Sequence, residues 1–183
     1  MRIISGYLKG KKIHLPKDKL TRPLKDMVKE SIFNIIEHSS EINYKINNAI
    51  ILDLFSGSGS FGLECISRGA KYVFFSENYK ESIEILEKNI KELNCENKCE
   101  VLKINCFNLP KNFNHSANII FMDPPFKEKK INELIELIYE MKILKKNGTI
   151  IIHRNKNFKE DLPAKFKIKD TRYYGLSKII FGN

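Results

Sequence analysis

The stretch AIILDLFSGSGSFG, residues 49–62, joins a continuous apolar run to a glycine-rich loop. A short apolar run bounded by glycines is typical of a strand that is buried on both faces of a sheet. Gly57, Gly59 and Gly62 then match the G-x-G-x-x-G pattern that follows the first strand of a nucleotide-binding unit. The stretch therefore predicts the first strand and the ligand loop of a doubly wound α/β fold.

Strand-like and helical patterns alternate along most of the chain. Short apolar runs predict strands at residues 49–55, 71–76, 100–104, 117–123 and 149–153. Apolar residues at helical spacing predict helices within residues 24–36, 60–67, 83–93 and 134–141. This alternation predicts a Rossmann-like, mainly parallel sheet with helices packed against it. Near the C-terminus, residues 165–174 and 177–182 flank Gly175 without a helix, which predicts a hairpin that adds an antiparallel strand.

The N-terminal segment differs in pattern from the rest. Residues 2–5 and 11–15 predict two short strands around a glycine-bounded turn. We therefore expect a small basic β-hairpin extension, residues 1–23, ahead of one α/β domain, residues 24–183.

The composition excludes several classes of protein. The chain has 183 residues, of which 42% are hydrophobic, so it can bury the core of one domain. It contains no apolar stretch near the roughly 18 residues that a membrane span requires, and no apolar region typical of a secretory signal. We therefore expect a cytoplasmic protein, and the one-domain pattern favours a monomer.

The formal net charge of +10 is concentrated at the two ends of the chain. Residues 1–30 hold nine basic and three acidic side chains, net +6, and residues 153–183 hold eight and three, net +5. The intervening residues 31–152 hold fifteen basic and sixteen acidic side chains, net −1. A nearly neutral centre between two basic segments favours a polyanionic partner.

Neither the cysteines nor the histidines predict a metal site. Cys95 and Cys99 lack a second Cys or His pair at the usual spacing, so we expect free thiols at all four cysteines: Cys65, Cys95, Cys99 and Cys106. Four histidines share no spacing that indicates a metal site or a catalytic triad: His14, His38, His115 and His153.

Polar residues stand at the end of each of the first four predicted strands. These residues are Asp53, Glu77, Asn105 and Asp123. Ligands of doubly wound sheets bind at the carboxyl ends of the strands, so these side chains predict one site. An acidic residue ending the second strand can accept hydrogen bonds from two ribose hydroxyls. The pattern therefore predicts a nucleoside-type ligand without deciding which one.

The sequence Asp123-Pro124-Pro125-Phe126 suits methyl transfer to an exocyclic amine of a nucleobase. Such an amine is a poor nucleophile because its lone pair is delocalised into the ring. A carboxylate and a backbone carbonyl that each accept one N–H would orient the lone pair toward a methyl donor. Phe126 can stack on an extruded base. We expect Asp123 to orient the amine and to stabilise charge rather than to act as a strong base.

These motifs resemble the class I S-adenosylmethionine-dependent methyltransferases, and within them the bacterial 16S rRNA guanine-N2 methyltransferase family. The resemblance rests on RIISGYLKGKKI at residues 2–13, TRPLKDMVKESIFN at 21–34, DLFSGSGSFG at 53–62 and DPPF at 123–126. Two shorter matches, SRGA at residues 67–70 and YG at 174–175, extend it over almost the whole chain.

The resemblance implies a role for each group of residues. The residues that would bind S-adenosylmethionine are Asp53, Phe55, Ser56, Gly57, Ser58, Gly59, Glu77 and Asn105. The residues that would hold the target guanine are Asp123, Pro124, Pro125 and Phe126. The basic charge of the N-terminal segment, rather than the resemblance, predicts contacts with small-subunit rRNA, naked or within an assembled or assembling subunit, through Lys9, Lys11, Lys12 and Arg22. Met27 and Lys29 stand where the family has arginines, and a lysine there would weaken a bidentate phosphate contact.

Three alternatives remain open at this point. A DNA adenine or cytosine amino methyltransferase would use the same DPPF motif, although the chain has no room for a separate DNA-recognition domain. An NAD-dependent oxidoreductase would use the same glycine loop, but no substrate domain or catalytic His or Tyr pattern accompanies it. A non-catalytic RNA-binding or assembly protein could share the fold.

Overall fold

The computed structural model describes residues 1–17, 24–110 and 113–183. Within these ranges the strands are β1 (Ile50–Leu54), β2 (Tyr72–Ser76), β3 (Cys99–Leu102), β4 (Ala117–Met122), β5 (Leu144–Asn155), β6 (Ile168–Tyr174) and β7 (Ser177–Gly182). The helices are α1 (Asp26–His38), α2 (Ser60–Ser67), α3 (Lys80–Glu92) and α4 (Ile131–Glu140). The predicted alternation is confirmed, and β5 begins earlier than the predicted strand at 149–153.

The described strands form one sheet in the order β3-β2-β1-β4-β5-β7-β6. Strands β1 to β5 pair in parallel, whereas β7 is antiparallel to both β5 and β6. The C-terminal hairpin is therefore confirmed, with Gly175 at a φ of 59° in its turn. The chain builds outward from β1 in one direction and from β4 in the other. A crevice is expected where such a strand order reverses, between the carboxyl ends of β1 and β4.

Two apolar clusters enclose the sheet, one on each face. Successive residues of β1 point alternately into them, so that Ile51 packs in the first cluster and Leu52 in the second. Helices α1, α2 and α3 contribute to the first cluster, and α4 contributes Leu134 and Ile138 to the second. Helix burial on both faces explains the continuous apolar sequence of the central strands.

The N-terminal segment is more closely tied to the core than two free strands would be. Its two predicted strands pair antiparallel through a bridge between Arg2 and Lys12. The N–H of Ile3 donates to the carbonyl of Lys11 and the N–H of Ile13 to that of Met1, both at 2.9 Å. Its apolar side chains Ile3, Leu8 and Ile13 are buried in the first cluster, together with α1 and α2. The predicted β-hairpin is therefore present in a short form, and its apolar side chains pack on the helices of the core.

A buried charge cluster fastens this segment to α2. Both carboxylate oxygens of Glu64 accept backbone N–H groups, from Ile4 at 2.7 Å and from Ser5 at 2.9 Å. The same carboxylate lies 2.9 Å from Arg68 Nε and 3.6 Å from Lys29 Nζ. Burial lowers the pKa of Lys29, and the Glu64 carboxylate opposes that shift. Lys29 is fully buried beside Glu64, so in this structure it is not placed to bind an RNA phosphate.

All four cysteines are buried free thiols, as predicted. Burial raises the pKa of each thiol, to about 12 for Cys99 and Cys106, which makes them unreactive at neutral pH. Among the described residues, no helix combines the length and apolar character needed to cross a membrane.

Replacing Glu64 tests the buried cluster. Glu64→Gln leaves Lys29 without its fully buried counter-ion, and breaking such a pair costs about 3–5 kcal/mol. We expect a lower free energy of unfolding, measured by urea denaturation. Glu84→Gln is the matched control, because Glu84 pairs with Lys80 on the exposed surface of α3 and such pairs contribute at most about 1 kcal/mol. Equal stability of the two variants would show that the cluster does not hold the fold.

Candidate functional site

A cavity of about 520 Å³ opens at the predicted edge of the sheet, where β1, β2 and β4 end. Its walls come from the glycine loop after β1, from Glu77 after β2 and from residues 123–126 after β4. Leu15 and Pro16 of the N-terminal segment complete one side. Two motifs that are about 65 residues apart in sequence therefore line one cavity, as the parallel topology requires.

Asp53 lies at the end of β1, with only 1% of its surface exposed. Its Oδ2 accepts the backbone N–H of Gly62 at 3.0 Å, which connects the strand to α2. Burial raises the pKa of Asp53 well above its ordinary value; the Gly62 hydrogen bond opposes this, and Asp123 and Glu77 add to it. Three carboxyl groups thus converge on the cavity, a charge pattern that favours a cationic ligand group.

The loop after β1 is shaped by left-handed backbone and by contacts with β2. Gly57 and Gly59 have φ values of 55° and 79°, which favour glycine. A Cβ at Gly59 would also lie 2.4 Å from a methyl carbon of Leu86 on α3. Ser56 donates both its N–H and its Oγ–H to the carbonyl of Ser76, at 3.1 and 2.9 Å. The loop is therefore held in place before any ligand binds.

Glu77 has its carboxylate oriented by three backbone N–H groups. Oε2 accepts from Gly57 at 2.7 Å, and Oε1 accepts from Asn78 and Tyr79 at 2.8 Å each. A carboxylate has about four acceptor positions, and the donors among the described residues occupy three of them, which leaves one on Oε2. In this arrangement Glu77 can hold one further hydroxyl, and a second would require one of the backbone donors to move.

Asn105 lies in a smaller, adjoining cavity of about 170 Å³. The two cavities share Phe55, Glu77, Asn78 and Pro125 as lining residues. Asn105 is exposed, and its Oδ1 accepts the N–H of Phe107 at 3.1 Å. The structure therefore brings Asn105 next to the main cavity, on the far side of Glu77 from Asp123.

The loop after β4 is held by Arg154, a residue that the sequence analysis did not single out. Its guanidinium donates to the carbonyl of Pro125 at 3.2 Å and to that of Glu128 at 2.7 Å. Its Nε donates to Glu160 at 2.8 Å, within a pair that is almost fully buried. This clamp immobilises the segment that carries Pro124 to Phe126. An arginine directly after an apolar strand was the one available signal.

His153 was also missed, because it was set aside with the other histidines for lack of spacing. Its Nδ1 lies 2.8 Å from Oδ1 of Asp123, and its Nε2 lies 2.9 Å from Oγ of Ser177. Met122 pairs with Ile152, so the residues that follow them, Asp123 and His153, meet side by side. The sequence did place His153 at the carboxyl end of a predicted strand. That position indicates a contact with Asp123 only once β5 is known to pair with β4.

The whole chain, residues 1–183, matches the sequence model of a family described as Conserved hypothetical protein 95. The chain belongs to this family. A relative from Buchnera aphidicola (subsp. Acyrthosiphon pisum), named ribosomal RNA small subunit methyltransferase D, is 37% identical over 155 residues, covering 84% of this chain and 78% of the relative. A relative of the same name from Haemophilus influenzae is 35% identical over 164 residues, covering 86% and 80%.

Solved structures agree with this family assignment. The yhhF protein of Escherichia coli superposes with a TM-score of 0.84 at 27% identity, covering 100% of this chain and 96% of that structure. The resemblance seen in the sequence and the class I methyltransferase fold are thereby confirmed. Family membership does not by itself assign roles to individual residues, so these follow from the cavity.

Most of the predicted site residues of this family member meet in the main cavity. Its lining includes, besides Phe55, the predicted residues Asp53, Ser56, Gly57, Ser58, Glu77, Asp123 and the Pro124–Phe126 segment. Gly59 is buried against α3 and Asn105 lines the adjoining cavity. Lys9, Lys11 and Lys12 are exposed. Arg22 lies outside the described residues.

Asn89 on α3 connects the glycine loop after β1 to the N-terminal segment. Its Nδ2 donates to the carbonyls of Ser58 and His14, both at 3.0 Å, and its Oδ1 accepts the N–H of His14 at 2.8 Å. This bridge places Leu15 and Pro16 at the cavity wall. The turn that carries Lys9 lies away from the cavity wall, at the C-terminal end of α2. There the N–H of Tyr7 donates to the carbonyl of Ser67.

The raised pKa of Asp53 predicts how stability depends on pH. A carboxyl that keeps its proton more firmly in the folded state stabilises the fold below its unfolded pKa of about 4, and this contribution is lost as the pH rises through the raised value. In ligand-free protein, Asp53→Asn should therefore raise the melting temperature more at pH 8 than at pH 4.5. Each kcal/mol gained in the free energy of unfolding corresponds to a rise of roughly 2–4 °C in the melting temperature.

The matched control for this measurement is Asp161→Asn, because Asp161 is exposed. Its melting temperature should follow that of the unmodified protein at both pH values. If Asp53→Asn lowered the melting temperature more at pH 8 than at pH 4.5, the ionised carboxylate would be a net stabiliser and the interpretation would be wrong.

Proposed function

We propose that this protein transfers a methyl group from S-adenosylmethionine to the exocyclic N2 amine of a guanine in 16S rRNA. The observation that carries this proposal is the meeting of the nucleoside-type loop and residues 123–126 in one cavity. The names of the relatives support a methyltransferase that acts on small-subunit rRNA. The choice of a guanine and of its N2 atom rests on the sequence resemblance.

The residues of the cavity fit S-adenosylmethionine. Asp53 and Glu77 are the acidic groups that face a cationic ligand, and Glu77 keeps one acceptor position for a ribose hydroxyl. Apart from its chain neighbours, no atom of the described residues lies within 4 Å of a Cβ built on Gly57, so a ligand can approach that backbone closely. Phe55 and Asn105 line the adjoining cavity, which would take the adenine. When bound, S-adenosylmethionine supplies an electrophilic methyl group on a positively charged sulfur.

The target amine would be oriented by the loop after β4. Asp123 accepts one N–H through its carboxylate. The carbonyl of Pro125 already accepts two donors, from Glu128 N–H and from Arg154, and a carbonyl has two lone pairs. The carbonyl of Pro124 is therefore the proposed acceptor for the second N–H. With both N–H groups held, the lone pair of nitrogen turns toward the methyl donor.

An aromatic surface at the mouth of the cavity would receive the base. Phe126 lines the cavity and stacks on Phe158, with ring centroids 6.5 Å apart. Phe158 is 43% exposed, and the Arg154 guanidinium lies 5.9 Å from its ring centroid. A guanine extruded from RNA would gain stacking on Phe126 while its edge reaches Asp123.

The decisive experiment is radiolabelled methyl transfer to naked 16S rRNA and to small ribosomal subunits from a strain that lacks the protein. We expect incorporation into one of these substrates, and N2-methylguanosine after nucleoside analysis. DNA in a parallel reaction tests the amino methyltransferase of DNA, and binding of NADH tests the oxidoreductase. Labelled DNA, or a ring-methylated nucleoside, would contradict the proposal.

Two substitutions should separate chemistry from cofactor binding. Asp123→Ala removes the amine acceptor, so we expect methyl transfer to fall by about 10²–10³-fold, the usual loss for one oriented polar group. Calorimetry with S-adenosylhomocysteine should show nearly unchanged affinity. Glu77→Ala is the converse variant and should weaken that affinity. Loss of cofactor binding in Asp123→Ala would refute the role given to Asp123.

The N-terminal lysines should contribute to RNA affinity by binding phosphates. In the Lys9→Gln, Lys11→Gln, Lys12→Gln triple variant, binding of 16S rRNA should weaken and its salt dependence should flatten. For every phosphate that is no longer neutralised, the slope of log K against log salt falls by about 0.7–0.9 in magnitude. The affinity for S-adenosylhomocysteine should not change.

The control for the lysine variant is the same substitution at Lys142, Lys145 and Lys146. These lysines stand at the amino end of β5 and within the nearly neutral centre of the chain. The control should keep the salt slope of the unmodified protein. An equal change in both triple variants would mean that net charge, not the N-terminal segment, attracts RNA.

A further inference from the structure

We propose that His153, itself held by Ser177, is a positioning residue that fixes the carboxylate of Asp123 for the methyl acceptor. This inference rests on the proposed function, because it concerns the group that would orient the target amine. His153 lines the cavity, yet only 9% of its side chain is exposed. Both of its ring nitrogens have a protein partner, Asp123 at 2.8 Å and Ser177 at 2.9 Å.

The two partners determine which ring nitrogen carries the proton in the neutral ring. A carboxylate only accepts hydrogen bonds, so Nδ1 must carry the N–H that faces Asp123. Nε2 then has a lone pair, which accepts the hydroxyl proton of Ser177. Rotation of the ring would break both hydrogen bonds at once, so Ser177 fixes the ring and the ring fixes the carboxylate.

The two carboxylate oxygens of Asp123 would therefore have different partners. Oδ1 lies 2.8 Å from Nδ1 of His153, and Oδ2 is the oxygen proposed to accept the amine N–H. The Asp123 side chain is 22% exposed, enough for a ligand to reach it. The Asp123 carboxylate is close enough to Asp53 to contribute to the raised pKa of Asp53.

The backbone geometry explains why the histidine can do this. Asp123 follows β4 and its N–H contacts the carbonyl of Leu54 at 3.4 Å, so the carboxylate stands beside β1. His153 and Ser177 belong to β5 and β7, which pair with each other in the sheet. The positioning contacts therefore come from rigid strands and not from a loop, which suits a group that must be placed to within about 0.5 Å.

A Ser-His-Asp arrangement also suggests a hydrolase triad, but the order of the groups in space argues against it. In a triad the serine faces the substrate and the aspartate lies behind the histidine. Here Asp123 and His153 line the cavity, whereas Ser177 stands on the β7 side of the ring. The order of the three side chains therefore suits holding the Asp123 carboxylate in place.

The test compares four variants in single-turnover and steady-state methyl transfer to 16S rRNA or small subunits. His153→Leu removes both hydrogen bonds at similar volume and should lower kcat about 10²-fold, the loss expected from misplacing one reacting group. KM for RNA and the affinity for S-adenosylhomocysteine should stay within about twofold. His153→Asn keeps an N–H near the position of Nδ1 and should recover at least about tenfold of the lost kcat. Ser177→Ala should give an intermediate kcat.

The fourth variant, His115→Leu, is the control. His115 is exposed and stacks near Phe74, away from the cavity, so its kcat should not change. Thermal melts of all variants separate misfolding from loss of activity. If His153→Leu does not fold, the kcat values of His153→Asn and Ser177→Ala, relative to the unmodified protein, decide the question.

Two results would overturn the inference. One is a folded His153→Leu with unchanged kcat, or an unchanged kcat in both His153→Asn and Ser177→Ala. The other is an equal loss in His153→Leu and His153→Asn, because a merely structural role would not distinguish a donor from an apolar side chain. An unmodified protein that methylates neither RNA substrate would instead refute the proposed function.

Discussion

The parallel pairing of β1 with β4 is the constraint on which the site depends. Because these strands are neighbours and point the same way, the loop after Leu54 and the loop after Met122 leave the sheet at one edge. The chain crosses to β2 and β3 on one side and to β5 on the other. The crevice at this reversal is where a ligand can touch both loops. Everything proposed for the cavity follows from that adjacency.

The cavity gathers acidic groups in a way that does not favour folding. Asp53 is buried with a raised pKa, and Asp123 and Glu77 add negative charge to its surroundings. Such a cluster is typical of a functional site, where a ligand rather than the apo fold supplies the compensating charge. The protein limits the conformational freedom of these groups through backbone N–H donors to Glu77, the Gly62 N–H to Asp53 and the His153 ring.

Much of the architecture could be predicted because each helix and strand follows from the spacing of apolar residues within a short segment. The period of apolar residues located the four α-helices and the seven strands of the described residues to within a few residues, except that β5 starts five residues before its predicted position. Two short 3-10 helices, Glu96–Lys98 and Cys106–Asn108, were not predicted. The N-terminal hairpin pairs as its pattern predicts, but the way in which it docks on the core could not be predicted. Its fold depends on Glu64 and Ser67, which are 59 or more positions away and accept its backbone N–H groups. A pattern of neighbouring residues cannot predict a hydrogen-bond partner so far away in the sequence.

The sequence alone determined the fold class, the glycine loop and the motif from Asp123 to Phe126, because each is encoded by contiguous residues with a local physical requirement. It also located the charge at the two ends of the chain. Only the tertiary structure decided that Lys29 is buried in an ion cluster, that Arg154 immobilises the Pro125 carbonyl and that His153 joins Asp123 to Ser177. These contacts join strands whose neighbours are set by the strand order of the sheet, and residue spacing along the chain carries no record of that order.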